Sequence, residues 1–238
     1  MKTRIIIFGA TSGIGLQTAI RLSRGSFEVH ATGRDEKKIE QLKNQYPQIH
    51  FHVADSASES ALESCLNEVG PVAHAVFALG GSKGARPFRQ LDVADIEEGF
   101  QMKLFSQLRS LKAVLPHLAS DGSLTFVSGV AAQMAAPGLT GPAAINGAIE
   151  AMIRPLAAEL APVRVNAVSP GVIETPWWNW LPVEQRKEVM DRYAKASFVG
   201  RVGSPDDIAH VIELLIKNTF CTGEIITCDG GLRLRLAS

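Results

Sequence analysis

The sequence RIIIFGATSGIG, residues 4–15, decides the fold class. Residues 4–8 form a short β-branched, apolar run of the kind that becomes a buried strand. Glycines at positions 9, 13 and 15 follow it, and a stretch with helical apolar periodicity comes next. Such a turn lets the backbone approach a pyrophosphate closely, and the amides at the helix start then face the anion. The stretch predicts a strand, a phosphate-binding loop and a helix.

The same alternation of strand and helix continues along the chain. Because each parallel crossover needs a connection of helix length, it predicts an α/β fold in which a doubly wound parallel β-sheet carries helices on both faces. No internal repeat or linker interrupts the 238 residues, so we expect one domain, 1–238. The further predicted strands are residues 27–32, 49–53, 72–78, 123–128, 163–168 and 224–227.

Charge and composition narrow the classes of partner. The 24 basic and 24 acidic residues cancel, so no net positive field would attract nucleic acid or an anionic membrane, and a small-molecule partner is favoured. The apolar run 5–8 is too short for a signal peptide or a membrane span, which favours a cytoplasmic protein. Cys65, Cys221 and Cys228 fit neither a disulfide framework nor a zinc site. His50 and His52 lack a third ligand nearby in sequence, so no metal site is predicted.

Several motifs in sequence order resemble the short-chain dehydrogenase/reductase family. The GxxxGxG loop is joined by FALG at 77–80, VNAVSPGV at 165–172, GRVGSPDDIA at 200–209 and CDGG at 228–231, which together span nearly the whole chain. The resemblance implies a Rossmann-type fold that holds a nicotinamide dinucleotide. The cofactor-binding residues it implies, together with the residues of the strand ends, are Gly9, Thr11, Ser12, Gly13, Ile14, Gly15, Arg34, Asp55, Ala78, Gly80, Pro170, Gly171, Val172 and Thr175.

The end of the second predicted strand favours NADP(H) over NAD. Gly33 stands where NAD-dependent family members have an acidic residue, and Arg34 follows it. A carboxylate there would repel a ribose phosphate, whereas a guanidinium pairs well with phosphate oxygens. Two alternatives stay open: the Asp35 carboxylate would take the ribose role if the loop shifted, or Arg34 is a solvated surface charge.

The four residues that carry the family's usual chemistry are missing. The resemblance places the family's serine, tyrosine, lysine and helix asparagine at Gly129, Pro142, Asn146 and Lys103, in that order. A shifted alignment does not restore the Tyr-x-x-x-Lys pair, because the only tyrosines are at 46 and 193 and no lysine lies between 112 and 187. The chain therefore resembles a divergent family member without the tetrad.

Lys103 is the predicted replacement. In the family site the helix asparagine and the lysine approach one another, so a lysine at the asparagine position would reach the same cavity. An ammonium near a reduced nicotinamide would polarise a carbonyl and donate a proton. Ser128 and Asn146 are the other candidate catalytic residues. The alternatives are a solvent-facing Lys103, a buried strand serine at 128 and an Asn146 that only satisfies backbone groups.

Residues 172–203 are predicted to form a long irregular lid. The lid carries Trp177, Trp178 and Trp180, which favour an apolar or aromatic substrate; the alternative is that the tryptophans pack in a subunit contact. The leading hypothesis is an NADP(H)-dependent oxidoreductase acting on a carbonyl or alcohol through a non-standard site. The alternatives are an inactive NADP(H)-binding sensor or partner subunit and a non-redox isomerase. The resemblance also implies a homodimer or homotetramer.

Overall fold

The computed structural model describes residues 2–81 and 83–235, and in them the seven predicted strands form one sheet. Every neighbouring pair is parallel, and the strand order is β3-β2-β1-β4-β5-β6-β7. The order reverses between β1 and β4, which leaves a crevice at the carboxyl ends of these strands. The strands are β1 Thr3–Phe8, β2 Phe27–Gly33, β3 His50–Val53, β4 Val72–Phe77, β5 Leu118–Val127, β6 Arg164–Pro170 and β7 Ile225–Cys228.

Helices connect consecutive strands. One π-helical turn, Gln101–Phe105, joins α4 to α5 without a break and contains Lys103. No helix in the described ranges is long and apolar enough to cross a bilayer. The helices are α1 Gly13–Ser23, α2 Glu36–Gln45, α3 Glu59–Val69, α4 Val93–Phe100, α5 Ser106–Val114, α6 Thr140–Glu159, α7 Val183–Ala196 and α8 Pro205–Lys217.

Two apolar cores lie on opposite faces of the sheet. Alternate residues of β1 point to opposite sides, so Ile5 and Ile7 join the core under α1, α2 and α8, whereas Ile6 and Phe8 join the core under α3, α5 and α6. In α8, residues 208, 212 and 216 recur every four positions and bury one stripe against the first core. This arrangement confirms the predicted doubly wound α/β sheet with helices on both faces.

The prediction that residues 172–203 are irregular is wrong. The segment contains a short 3₁₀ turn, Pro176–Trp180, and the fourteen-residue helix α7. A bridge between Ile173 and Gly203 closes the excursion at its base. Residues 183–196 are mostly strong helix formers, and they follow Pro182, the N-cap residue of α7. The prediction relied on the aromatic cluster at 177–180 and overlooked the helix propensity of residues 183–196.

Histidines lie in the sheet at two places, a buried one at His30 and a half-buried one at His74. His30 Nδ1 lies 2.9 Å from His52 Nε2, and His30 Nε2 lies 3.1 Å from the Glu28 carboxylate. His74 Nδ1 lies 2.9 Å from the Ser123 hydroxyl. Burial lowers the pKa of His30 and of His74 to about 4 in each case. Within residues 2–81 and 83–235, no group of three or more His, Cys, Asp or Glu side chains is placed to hold a metal ion.

These histidines predict a loss of stability in mild acid. An unfolded histidine takes up its proton near pH 6.5, whereas folded His30 and His74 do so only near pH 4. Unfolding therefore takes up protons in this window, and the free energy of unfolding falls as the pH falls from about 6.5 to 4, by about 2 kcal/mol or more for each histidine. Urea unfolding at pH 7 and pH 4.5 measures the difference.

His74→Gln should remove part of this pH dependence. The matched control His117→Gln changes a histidine of the short turn Leu115–His117, outside both of these places, and should leave the pH dependence as in the wild type. Equal unfolding free energies at the two pH values would contradict the prediction.

Candidate functional site

A cavity of about 480 Å³ opens at the carboxyl ends of β1, β4, β5 and β6. This volume is in the range of sites that hold small molecules and cofactors. The structure brings most of the predicted cofactor-binding residues to its wall, together with all three candidate catalytic residues. The predicted residues that line it are Gly9, Ser12, Gly13, Ile14, Gly15, Ala78, Gly80, Pro170, Gly171, Val172 and Thr175, with Lys103, Ser128 and Asn146.

The loop between β1 and α1 requires its glycines. A Cβ on Gly9, which has a φ of +82°, would lie 2.8 Å from the Ala78 carbonyl oxygen, and a Cβ on Gly15 would lie 2.2 Å from the Gly9 carbonyl oxygen. The N-cap residue Ser12 makes no side-chain cap, so it leaves the first amides of α1 without that partner. Close backbone approach and exposed helix-start amides fit a dinucleotide pyrophosphate.

Three of the predicted cofactor-binding residues lie beyond the cavity. Thr11, Arg34 and Asp55 are absent from its wall and stand at the ends of β1, β2 and β3. Arg34 is exposed, whereas the Asp35 carboxylate accepts a hydrogen bond of 3.0 Å from the Lys38 amide and caps α2. Because the Asp35 carboxylate caps α2, the structure does not support the alternative in which this carboxylate binds the ribose.

Gly33 is tightly packed. A Cβ at position 33 would lie only 2.2 Å from the Thr11 methyl carbon, so an acidic side chain there would require Thr11 to move. The close contact between the ends of β1 and β2 therefore favours glycine at this position.

Lys103 enters the cavity from the π-helical turn. Its ammonium donates hydrogen bonds of 2.7 Å to the Ser128 carbonyl oxygen and 2.7 Å to Asn146 Oδ1. Burial lowers the pKa of this amine to about 8, and the charge of Glu150 opposes that shift. This geometry does not fit the alternative of a solvent-facing lysine. π-Helical turns of this kind often occur at functional sites because they change the direction of a side chain.

The four positions aligned with the family's catalytic residues meet at one wall of the cavity. Gly129, Pro142, Asn146 and Lys103 all line it. A Cβ on Gly129 would lie 3.1 Å from Asn146 Oδ1, and Asn146 Nδ2 donates a hydrogen bond of 2.8 Å to the Pro142 carbonyl oxygen. Asn146 thus contacts both Lys103 and the first turn of α6, so it does more than satisfy backbone groups. The lysine of this wall, Lys103, lies in the turn between α4 and α5, whereas the position aligned with the family's lysine, Asn146, lies in α6.

Ser128 faces a carboxylate that the sequence reasoning missed. Its hydroxyl donates a hydrogen bond of 2.8 Å to Glu150 Oε1, and the Ser169 hydroxyl donates another of 2.7 Å to the same oxygen. The sequence did carry a signal, since Glu150 lies one helical turn after Asn146 and beside the buried Ile149. A carboxylate next to a buried helix face requires hydrogen-bond partners.

Gln107 is a second residue that the sequence reasoning missed. It lies one helical turn after Lys103, fully buried, and Nε2 donates to the carbonyl oxygens of Leu79 at 3.0 Å and Val127 at 3.2 Å. Its amide holds together the carboxyl ends of β4 and β5, from which Ser128 follows directly. Gln107 therefore fixes the backbone to which the Lys103 ammonium binds.

The predicted lid lies against the cavity. The Trp177 indole donates a hydrogen bond of 3.0 Å to the Gly81 carbonyl oxygen across the cavity mouth, and the Trp178 indole donates one of 3.0 Å to the Ile173 carbonyl oxygen. Both tryptophans and Tyr193 of α7 line the cavity, whereas Trp180 is about half exposed. The segment thus contributes Trp177 and Trp178 to the cavity wall.

Known proteins resemble the chain over nearly its whole length. It matches the family model described as enoyl-(acyl carrier protein) reductase over residues 9–233. It is 29% identical to the short-chain dehydrogenase/reductase ATR9 of Stachybotrys chlorohalonatus and 27% identical to the L-xylulose reductase of Mus musculus; the first alignment covers 97% of each chain, and the second covers 96% of this chain and 95% of the reductase. The crystal structure of a small-chain dehydrogenase in complex with NADPH superposes with a TM-score of 0.86, at 28% identity, over 99% of this chain and 100% of the other.

Proposed function

Because the chain belongs to the short-chain dehydrogenase/reductase family, we propose that it is an NADP(H)-dependent oxidoreductase that interconverts a carbonyl and an alcohol through a non-standard active site. The observation that carries the proposal is the Lys103 ammonium, held in the cavity by Ser128 and Asn146. At each of the four positions aligned with the usual Ser-Tyr-Lys-Asn tetrad, this chain has a different residue.

Several observations support NADP(H) as the cofactor. The glycine loop and the uncapped start of α1 suit a pyrophosphate, and the exposed Arg34 suits a ribose phosphate. Asp35 is engaged in capping α2. A protein of the same fold, 28% identical over its full length, binds NADPH. When bound, NADPH would supply a hydride for the carbonyl carbon of the substrate.

Lys103 would supply the proton. An ammonium has three N–H groups, and two of them bind Ser128 and Asn146, which leaves the third for a carbonyl oxygen in the cavity. As the carbonyl carbon is reduced, this N–H stabilises the developing negative charge and transfers its proton to the oxygen. The alcohol leaves, and the neutral amine regains a proton from water. A pKa of about 8 keeps the donor charged at neutral pH and weakens its hold on the proton.

The wall around Lys103 supports an apolar or aromatic substrate. It is formed mainly by aliphatic, thioether and indole groups, and the nearby cation Lys83 pairs with Glu98 at 3.1 Å and with Asp95 at 3.7 Å. The charge of Lys83 is therefore already paired and does not favour an anionic substrate. We also propose that the protein assembles as a homodimer or homotetramer, like many members of the family. Apolar residues of the cavity lining include Leu79, Val130, Met134, Leu139, Ile145, Trp177 and Trp178.

The decisive experiment follows NADPH oxidation by absorbance across hydrophobic aldehydes, ketones and quinones. Turnover with formation of the alcohol supports the proposal. If NADPH quenches tryptophan fluorescence but no compound is turned over, the second candidate, a sensor or partner subunit, is favoured. The observation in favour of this candidate is that all four usual catalytic residues are replaced at the aligned positions. Substrate conversion without a change in nicotinamide absorbance would favour an isomerase.

Arg34→Ala is expected to weaken NADPH binding selectively. Loss of charge-assisted hydrogen bonds to the ribose phosphate should raise the Kd for NADPH about 10- to 100-fold and leave the weaker binding of NADH nearly unchanged. Fluorescence titration with both nucleotides measures the ratio. Arg24→Ala, at the opposite end of α1, serves as the control and should bind both as the wild type does. An equal loss for NADPH and NADH would contradict a phosphate-binding role.

A further inference from the structure

Glu150 lies behind the peptide that binds Lys103. Ser128 joins the two charged residues, because its carbonyl oxygen accepts a hydrogen bond from the Lys103 ammonium while its hydroxyl donates one to Glu150. The Ser169 hydroxyl also donates to Glu150, and Gln133 Nε2 lies 3.3 Å from Glu150 Oε2. Three side chains from β6 and the β5–α6 connection thus fix the carboxylate, one helical turn along α6 from Asn146.

The fixed Glu150 carboxylate supplies a negative charge near the Lys103 ammonium. In the part of the chain that the structure describes, the hydrogen-bond partners of the Lys103 ammonium are neutral oxygens, and a partly desolvated ammonium is costly without a nearby negative charge. The other ionisable groups on the cavity wall are Lys83, paired with Asp95 and Glu98 at the mouth, and Tyr193 of the lid. Among the described residues, Glu150 is the one carboxylate whose charge acts appreciably on the Lys103 ammonium.

We propose that Glu150 is the counter-ion of Lys103: acting across the Ser128 peptide and without touching substrate, it keeps the ammonium form populated and so sets the pH range in which the site can donate a proton. Glu150 is a positioning residue in this scheme, and Lys103 is the catalytic residue. The inference rests on the proposed function for its catalytic meaning. The coupling between the two side chains does not require turnover and is measured separately.

The test is Glu150→Gln. The glutamine Oε1 can still accept from both serine hydroxyls, so these two hydrogen bonds remain, while the charge and the hydrogen bond from Gln133 are lost. In protein labelled with ¹³C-lysine, the Cε resonance of Lys103, assigned by its absence in Lys103→Met, reports the titration of the amine. The midpoint is expected to fall by about one pH unit in Glu150→Gln, as for unit charges separated by a peptide group in a protein interior.

The matched control is Glu159→Gln, which removes the same charge from the exposed end of α6. It should leave the Lys103 midpoint unchanged. If Glu150→Gln does not fold, Gln133→Lys provides a second test, because position 133 is exposed and its new ammonium would neutralise Glu150. It should also lower the midpoint.

An unchanged Lys103 midpoint in a folded Glu150→Gln protein, or in Gln133→Lys, overturns the inference and leaves Glu150 as a structural tie between β5, β6 and α6. A lowered midpoint supports it even if no carbonyl is reduced, in which case only the proposed function fails. With an active wild type, the alkaline fall of kcat must move to lower pH by the same amount as the Cε midpoint; a fixed pH profile would overturn the catalytic role of the pair.

Discussion

Lys103→Met should lower kcat/KM for carbonyl reduction by about 10²- to 10⁴-fold, the range that a general acid contributes. Methionine keeps a long unbranched side chain in the cavity but carries no proton to donate. Since the glycine loop and the Arg34 region are untouched, the Kd for NADPH should change little. Steady-state NADPH oxidation, together with fluorescence titration of NADPH, measures both quantities.

Lys112→Met is the matched control, because this lysine is exposed on α5 and should keep wild-type activity. The wild type supplies an independent check through its pH profile. Reduction needs the charged form of Lys103, whose pKa lies at about 8, so kcat should fall as the pH rises through that value. Alcohol oxidation needs the neutral amine and should show the opposite trend. A Lys103→Met protein that turns over at the wild-type rate would remove Lys103 from the mechanism.

Gly15→Ala is expected to weaken NADPH binding by about 100-fold or more. The added methyl group would lie 2.2 Å from the Gly9 carbonyl oxygen, so the loop between β1 and α1 must move. A moved loop loses two or more charge-assisted contacts between amides and pyrophosphate, each worth about 1.5–3 kcal/mol. Fluorescence titration gives the Kd, and circular dichroism with thermal unfolding shows whether the fold persists.

Gly25→Ala is the control for this substitution. It also adds one methyl group close to α1, but its nearest neighbour, the Leu22 carbonyl oxygen, lies at 3.5 Å, an ordinary contact distance. NADPH affinity should therefore match that of the wild type. If Gly15→Ala stays folded and binds NADPH normally, the loop does not hold the pyrophosphate.

Much of the fold follows from local sequence signals. The seven strand runs and the GxxxGxG loop are local because strand and helix periods, and the conformations open to glycine, depend on neighbouring residues. Their alternation then predicts a parallel sheet, which the structure confirms. Residues 183–196 also carry a local helix signal, but α7 was not predicted: the prediction of an irregular segment over 172–203 rested on the aromatic cluster at 177–180 and was wrong.

The cofactor loop and the catalytic wall differ in how far the sequence determines them. Residues 9–15 form one continuous segment, so sequence spacing alone specifies the loop and its glycines. The contact between Lys103 and Asn146 joins positions 43 residues apart, and it depends on a π-helical turn in one helix and on the placement of α6 beside β5. The sequence pointed to Lys103 as a replacement, but only the tertiary structure decided the direction of its side chain.

Glu150 shows most clearly what the sequence does not determine about the site. Its helical spacing from Asn146 is visible in the sequence, but its partners come from β6 and from the connection between β5 and α6. These strands adjoin because the sheet order and crossovers place them so, and no local pattern fixes which polar groups will face a given carboxylate. The sequence by itself determined the fold class and the glycine loop after β1, and it led to the hypothesis that the usual catalytic side chains have been replaced. The tertiary structure alone decided which charges share the buried wall of the cavity, since electrostatic coupling depends on distance in space and on burial.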